Sequence, residues 1–381
     1  SDGTSEQQIG GICQEWLDRL DAKGGAIHPR KEELGSADPA IVQYWKNFHV
    51  MCVREGRVRL SAETDPEILK CVLNDMVEEA GVKLLLHAWG TQAIVEKEQV
   101  QGVIFESKSG RQAVLAKIVI DGTGDGDLLP SAGADFETRI NPKLRIAKAA
   151  LVFRFGNVDL RKVDEFRASQ PQKYHEMMQE LVRLNGFHFF QKTAPEGVVW
   201  FNMWLPNLDI LNIEDLTSVE ISVRKRMMVT YDFFKKFVPG FENCTIVATA
   251  PQVGTRGSRR LVGEYTITEE DMKTGRVFED TIAMCPDLNF NYSPEHPHVH
   301  IPYRAMVPRK VEGLLVSGRI YSAEDIVQED FNLIPHCIAI GQAVGTAAAM
   351  AVRQGISPRK VKYDDLRESL TGQGVPLPPL H

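Results

Sequence analysis

The sequence has no C-x-x-C pair, and its six cysteines (Cys13, Cys52, Cys71, Cys244, Cys285 and Cys337) are scattered without a repeat. That spacing argues against zinc ribbons and iron–sulfur clusters and supplies no disulfide framework, so reduced thiols in a cytoplasmic protein are expected. Basic residues are not in excess: 44 Lys and Arg stand against 51 Asp and Glu, for a net charge of −7. A mildly acidic chain gives no electrostatic reason to expect nucleic acid or a membrane as partner. Short basic stretches such as Arg224–Met228 and Arg256–Arg260 read as solvated faces or local ion pairs. Long apolar runs are scarce. The one stretch resembling a span, Leu333–Val352, contains Pro335, His336 and Gln342, with Ala and Gly where lipid insertion favours Leu and Ile. It is expected to be a buried helix. The polar opening "SDGTSEQQ" does not read as a secretory leader.

What is present suffices for sizeable cores: 381 residues, 43% hydrophobic, enough for one large domain or two medium ones. The first sixty residues read as mainly helical. In "GGICQEWLDRLDAKGG", Ile12, Trp16, Leu17 and Leu20 share a face and Gly24–Gly25 ends the helix. "TDPEILKCVLNDMVEEAG" is a clearer helix, with Thr64 or Asp65 as cap, Pro66 in the first turn and Gly81 as the stop. The period then shortens. "VKLLLHAW", "TQAIVEKEQ", "VQGVIFESKSG" and "RQAVLAKIVID" read as successive strands.

The last of these runs into "IDGTGDGDLLPSAGA" (Ile120–Ala134), where glycines alternate with Thr123, Asp125 and Asp127. An apolar strand ending in such a turn before a short helix is expected to aim free backbone N–H groups at one point, a site for phosphate or another anion. From about Phe136 to Tyr303 the texture changes to aromatics and loops, as in "VVWFNMWL" (Val198–Leu205), which suggests an inserted domain built on a sheet. "VEGLLVSGR" (Val311–Arg319) is then a buried strand, and a helix from about Pro335 to Gln354 closes at Gly355. Its many Gly and Ala residues make it thin, which permits close approach of a backbone or a flat ligand. His296, His298 and His300 alternate and could share one strand face. Pro297 interrupts them and no acidic or cysteine ligand follows at a fixed spacing, so no metal is expected.

Four stretches in this order, "VIDGTGDGDLLPSAGADFE", "GTRGSRRLVGEYTITEEDM", "HIPYRAMVP" and "GLLVSGRIYSAEDIVQEDFNLIPHCIAIGQAVGTAAAMAVRQGISPRKV", resemble the FAD-dependent oxidoreductase family. This is the two-dinucleotide-binding-domain flavoprotein type, distantly similar to fumarate reductase flavoproteins, and the resemblance runs from about Gly10 to Pro376. It implies an α/β fold: a discontinuous FAD-binding Rossmann-like domain (1–137 and 305–381) with an inserted α+β substrate domain (138–304). Members begin with a βαβ unit carrying G-x-G-x-x-G, which this sequence does not contain. The expectation is that the unit is truncated, cleaved or supplied by another chain, and that FAD binding by this chain alone is weak. A homo-oligomer is the other assembly expected.

The resemblance implies FAD as cofactor and places Gly122, Thr123, Gly124, Asp125, Gly126 and Asp127 near its ribose and pyrophosphate. Gly318, Arg319, Gly341, Gln342, Ala343, Gly345 and Thr346 would meet the flavin, and Gly90 and Thr91 the adenine. Flavin chemistry on a small organic substrate needs a proton carrier and groups that fix the substrate. Candidates are His300, Tyr303, Arg304 and Arg256, with the arginine suited to hold a carboxylate or another oxyanion. Glu324 and Asp325 stand where many members have Thr-His, so a family histidine role there does not carry over. The expected function is oxidation or reduction by hydride transfer at flavin N5. A complementing subunit of a flavoprotein complex, or a flavin-dependent hydratase or isomerase without net redox change, are the alternatives. The aromatic stretch Gly186–Trp204 reads as domain core, or as the lining of a pocket for a flat or sugar-like molecule.

Overall fold

A computed structural model describes residues 9–202, 204–206, 208–286 and 298–379. They form two compact units, one of Ser1–Arg19, Cys71–Ile146 and Arg256–His381, the other of Leu20–Lys70 and Ala147–Thr255. Residues 20–70 thus pack with 147–255, and 256–286 and 298–304 with the C-terminal segment.

In the first unit two parallel strands, Val119–Asp121 and Leu314–Val316, pair in the register Leu314↔Val119 and Val316↔Asp121. Leu314, Leu315 and Val316 are wholly buried, as an unbroken apolar run in a parallel sheet should be. The helix Ile334–Gln354 packs beside them, with Pro335 in its first turn and Gly355 closing it at φ 66. It is long and apolar enough to cross a membrane by length and composition, and its Ala339, Ile340, Ala343, Val344, Ala347 and Ala351 lie in the core of this unit. The unit also holds an antiparallel meander, Trp89–Glu96, Gln99–Ser107 and Gly110–Leu115, a ladder of Thr281–Pro286 with His298–Pro302, and a short pair, Phe136–Glu137 with Arg260–Leu261.

One strand expectation fails. "VKLLLHAW" is not extended sheet until Trp89; residues 82–88 carry no strand, and Leu84, Leu85 and Leu86 are 46%, 48% and 64% exposed. Among the described residues nothing pairs with this run, and an apolar alternation without a neighbouring strand has no ladder to join.

The second unit is built on an antiparallel sheet in the order Gln191–Lys192, Val199–Phe201, Phe153–Gly156, Thr245–Thr249. Helix Ile213–Phe237, capped by Asn212 through the Glu214 N–H, contributes Phe233 and Phe234 to its core. Phe153 and Phe201 stack at 4.7 Å between centroids, and Phe187 and Phe190 join them. Much of the aromatic stretch 186–204 is therefore core, while Phe189 and Trp204 stay 49% and 37% exposed. The opening residues are less helical than expected. Between Ile12–Ala22 and Pro39–Phe48 lie only a two-residue strand, Ala26–Ile27, and a single 3-10 turn, Lys31–Glu33, and two-residue strands such as Val53–Arg54 and Arg57–Val58 follow.

Candidate functional site

The carboxyl ends of the two parallel strands lie side by side, and each leads at once into a glycine turn: Gly122 after Asp121, and Ser317–Gly318 after Val316. In open α/β sheets this edge is where ligands bind. Asp121 organises the first turn. Its wholly buried carboxylate accepts from the Thr123 N–H (3.0 Å), the Thr123 hydroxyl (2.7 Å) and the Leu128 N–H (3.1 Å). Thr123 Oγ1 in turn accepts from the Asp127 N–H at 3.0 Å. The expectation of a cradle of free N–H groups is corrected here: the N–H groups of Thr123, Asp127 and Leu128 are taken by the turn's own side chains. Aspartate directly before a turn competes well for such donors.

Two of the glycines serve different ends. Gly124 is buried at φ +81, and a Cβ on it would lie 2.2 Å from the Arg319 guanidinium, so it is needed for close packing inside the protein. Gly122 is exposed, and a Cβ there would meet nothing within 4 Å. Its backbone, followed by the exposed Thr123, forms the open part of the turn. This clear backbone at the strand ends fits a dinucleotide, with Gly122, Thr123 and Gly318 as the residues that would border it.

The acidic pair of the turn faces arginines. Asp125 accepts from the Arg319 guanidinium at 2.9 Å and from the Ser258 hydroxyl at 2.7 Å; Arg259 bridges the Asp125 carbonyl (3.0 Å) and the Asp127 carboxylate (3.1 Å). Burial, then the neighbouring Asp125, raises Asp127 above the usual carboxylate range. Arg256 lies in the same neighbourhood. Burial lowers it to about 10, and the charges of Arg145 and Arg319 push the same way, against a favourable contribution from Glu329. Glu329 accepts from the backbone N–H groups of Arg145 (3.0 Å) and Ile146 (2.9 Å), with Arg145 Nε at 3.6 Å. The result is a half-buried cluster of Arg145, Arg256 and Arg319 against Glu329 and Asp125.

The other candidates are placed as follows. His300 is buried in its ladder opposite Met284. His296 lies outside the described residues, as does the His298 side chain. Tyr303 is buried, its hydroxyl donating to the Pro358 carbonyl at 3.1 Å, and burial pushes its phenol up. Arg304 is held by both oxygens of Asp280, at 3.0 and 3.1 Å, so its fork is committed within the fold. Gly90 sits opposite Phe105 in the meander, and the Thr91 hydroxyl donates to the Ile104 carbonyl.

The thin helix begins at Ile334, so Gly341 lies two turns in, about 10 Å along the axis. Gln342 accepts from the Ile12 N–H at 3.0 Å and donates to Gln373 at 3.0 Å, tying the start of the first helix to this one. Ala343 and Gly126 are both buried: Ala343 is 0% exposed among core residues, and Gly126 packs against Leu129 and Arg259. Their side faces touch protein. Gly341, Gly345 and Thr346 instead line an open groove of about 590 Å³ with Ile12, Ile338 and Gln373.

Residues the sequence did not bring forward are Asp121, Arg145, Glu329 and Ser258. Asp121 carried a usable signal, its place one residue before the glycines. Arg145 and Glu329 are 184 positions apart and carried none.

Comparison with known proteins gives the following. The model of a family described as FAD dependent oxidoreductase matches residues 1–370. No curated protein matches. Among solved structures the chain is similar to the flavin-dependent brominase Bmp2 at 11% identity, covering 83% of this chain and 61% of that one, TM-score 0.37. It is similar to a geranylgeranyl bacteriochlorophyll reductase-like protein from Thermoplasma acidophilum at 13% identity (84% and 62% covered, TM-score 0.39). L-proline dehydrogenase from P. horikoshii matches at 14% identity (90% and 77% covered, TM-score 0.35). The chain thus spans about 61% of the brominase structure's length.

Proposed function

The chain belongs to the FAD dependent oxidoreductase family, and from that premise we propose that it oxidises or reduces a small organic substrate bearing an oxyanion, by hydride transfer at flavin N5. FAD, when bound, supplies the two-electron chemistry itself. The protein's part is to hold and orient the substrate. The observation that carries this reading is the setting of Arg256: a half-buried guanidinium beside Arg145, Glu329 and Arg319, whose charge is disfavoured by burial and by the two arginines and only partly offset by Glu329. An entering carboxylate relieves that repulsion and accepts paired N–H bonds from a planar fork. Arg145, oriented by Glu329, adds a second positive charge beside it. Asp125 neutralises Arg319 and keeps it against Gly124.

Anaerobic bleaching of the flavin by a panel of 2-hydroxy and 2-amino carboxylates, set against their alcohol or amine counterparts without the carboxylate, tests this. Arg256→Met should raise KM for the carboxylates by at least about tenfold, the loss of a charge-assisted pair, and leave melting and flavin content unchanged. Equal effects on acids and neutral counterparts would refute the assignment.

We also propose that a glycine-fingerprint unit completes the flavin site. Supporting this, Val119–Asp121 pairs among the described residues only with Leu314–Val316, Ile120 is 38% exposed, and Gly341 and Gly345 leave an open helix face.

A further inference from the structure

The "GFHFF" segment of the second unit, Gly186–Phe190, is only partly used by the core. His188, Phe189 and Phe190 form one wall of a cavity of about 420 Å³ whose other wall comes from helices Leu160–Ser169 and Pro171–Arg183. Phe190 and Met178 are buried at its base, and Phe189 is half exposed at its rim. Arg167 lies with its guanidinium carbon 5.1 Å above the Tyr174 ring and 5.9 Å above the Phe190 ring.

We propose that this cavity is a second binding site, separate in its chemistry from the flavin reaction, for a planar aromatic molecule carrying an anionic group. Size comes first: the volume falls in the range of small-molecule pockets and suits one or two fused rings. The walls are aromatic and thioether surfaces that favour a flat apolar body. The sign of the charge follows from what surrounds it. No carboxylate lines the cavity, while Arg167, His175 and His188 do. Asp164, the acidic group felt by Tyr174, is engaged by Lys192 at 2.7 Å. The faces of Tyr174 and Phe190 that could attract a ligand cation already carry Arg167. Among the described residues, none forms a hydrogen bond or ion pair with the Arg167 guanidinium, the Tyr174 hydroxyl or the His188 ring, so these polar heads stand ready for a ligand. Burial raises the Tyr174 phenol, which keeps its hydroxyl a donor.

Isothermal titration of the full chain, with FAD in excess so that the flavin site does not compete, is the direct test. The probes are 2-naphthoate, 2-naphthylmethanol and 2-naphthylmethylammonium. The expected result is binding of 2-naphthoate at least about tenfold tighter than either of the others. Arg167→Gln should weaken the carboxylate by a similar factor and leave the alcohol unchanged. Phe189→Ala, a change at an exposed rim, should weaken all probes while thermal melting stays that of the parent. Equal affinity for the three probes, unchanged naphthoate binding in Arg167→Gln, or no binding up to the solubility limit overturns the proposal.

Discussion

Asp121 shows how one buried carboxylate can set the shape of a whole turn. Its oxygens take two N–H groups and one hydroxyl, and no water-exposed substitute is at hand. Asp121→Asn would turn one oxygen into an amide nitrogen facing a donor. Equilibrium denaturation should show a loss of about 2–3 kcal/mol, the range for a charge-assisted bond lost in a buried site. A second buried group, in the other unit, governs pH response. His49 Nδ1 accepts from the Met51 N–H at 3.3 Å, and its Nε2 faces both Glu63 Oε1, at 3.3 Å, and the Gln191 side-chain amide. Burial, reinforced by Arg59, lowers His49 to about 4, and burial raises Glu63 to about 7. A lowered histidine costs stability as pH falls from 6.5 toward 4, because the unfolded state then binds more protons. A raised carboxyl costs stability as pH rises from 4.5 through 7. Glu63→Gln should therefore melt like the parent near pH 4.5 and gain on it as pH rises, by up to about 3 kcal/mol at pH 8. A gain that is flat with pH would show that Glu63 does not titrate as a buried acid.

At the scale of elements, the glycine turn separates two roles that look alike in sequence. Gly124→Ala forces a left-handed residue against Arg319 and should cost at least about 2 kcal/mol in denaturation. Gly122→Ala meets open space, so its melting should match the parent, while FAD retention on gel filtration falls by about tenfold in affinity if a dinucleotide lies against that backbone. The helix Ile334–Gln354 was readable from its pattern, with Pro near the start and Gly at the stop. The helices over 12–22 and 66–79 were readable for the same reason: the period and the end signals are local. The run Val82–Leu86 was misread because a strand needs a neighbour, and its pattern does not say whether one is there.

For the molecule as a whole, discontinuity is the main feature, since each compact unit gathers segments far apart in sequence. The composition changes near residue 136, and the compact unit that holds 147–255 takes in 20–70 as well, through pairings such as Arg154 with Glu67 at 3.1 Å. No local pattern announces a partner 87 residues away. The groove along Gly341 and Gly345 carries a prediction at this scale. Gly345→Leu should leave the isolated chain as stable or about 1 kcal/mol more stable, from helix propensity. It should also abolish any gain in flavin absorbance when a βαβ fragment carrying G-x-G-x-x-G is added, whereas the parent gains colour. An equal gain in both would show that the groove is not where such a unit seats.

The sequence by itself determined the family, the cofactor and the main helices, because order of motifs, glycine placement and helical period are properties of the linear chain. Tertiary structure alone decided which arginines share a neighbourhood. It also decided which aromatic residues line a cavity rather than a core. Those outcomes depend on distances between residues far apart along the chain, and on water excluded from between them, neither of which leaves a mark in local order.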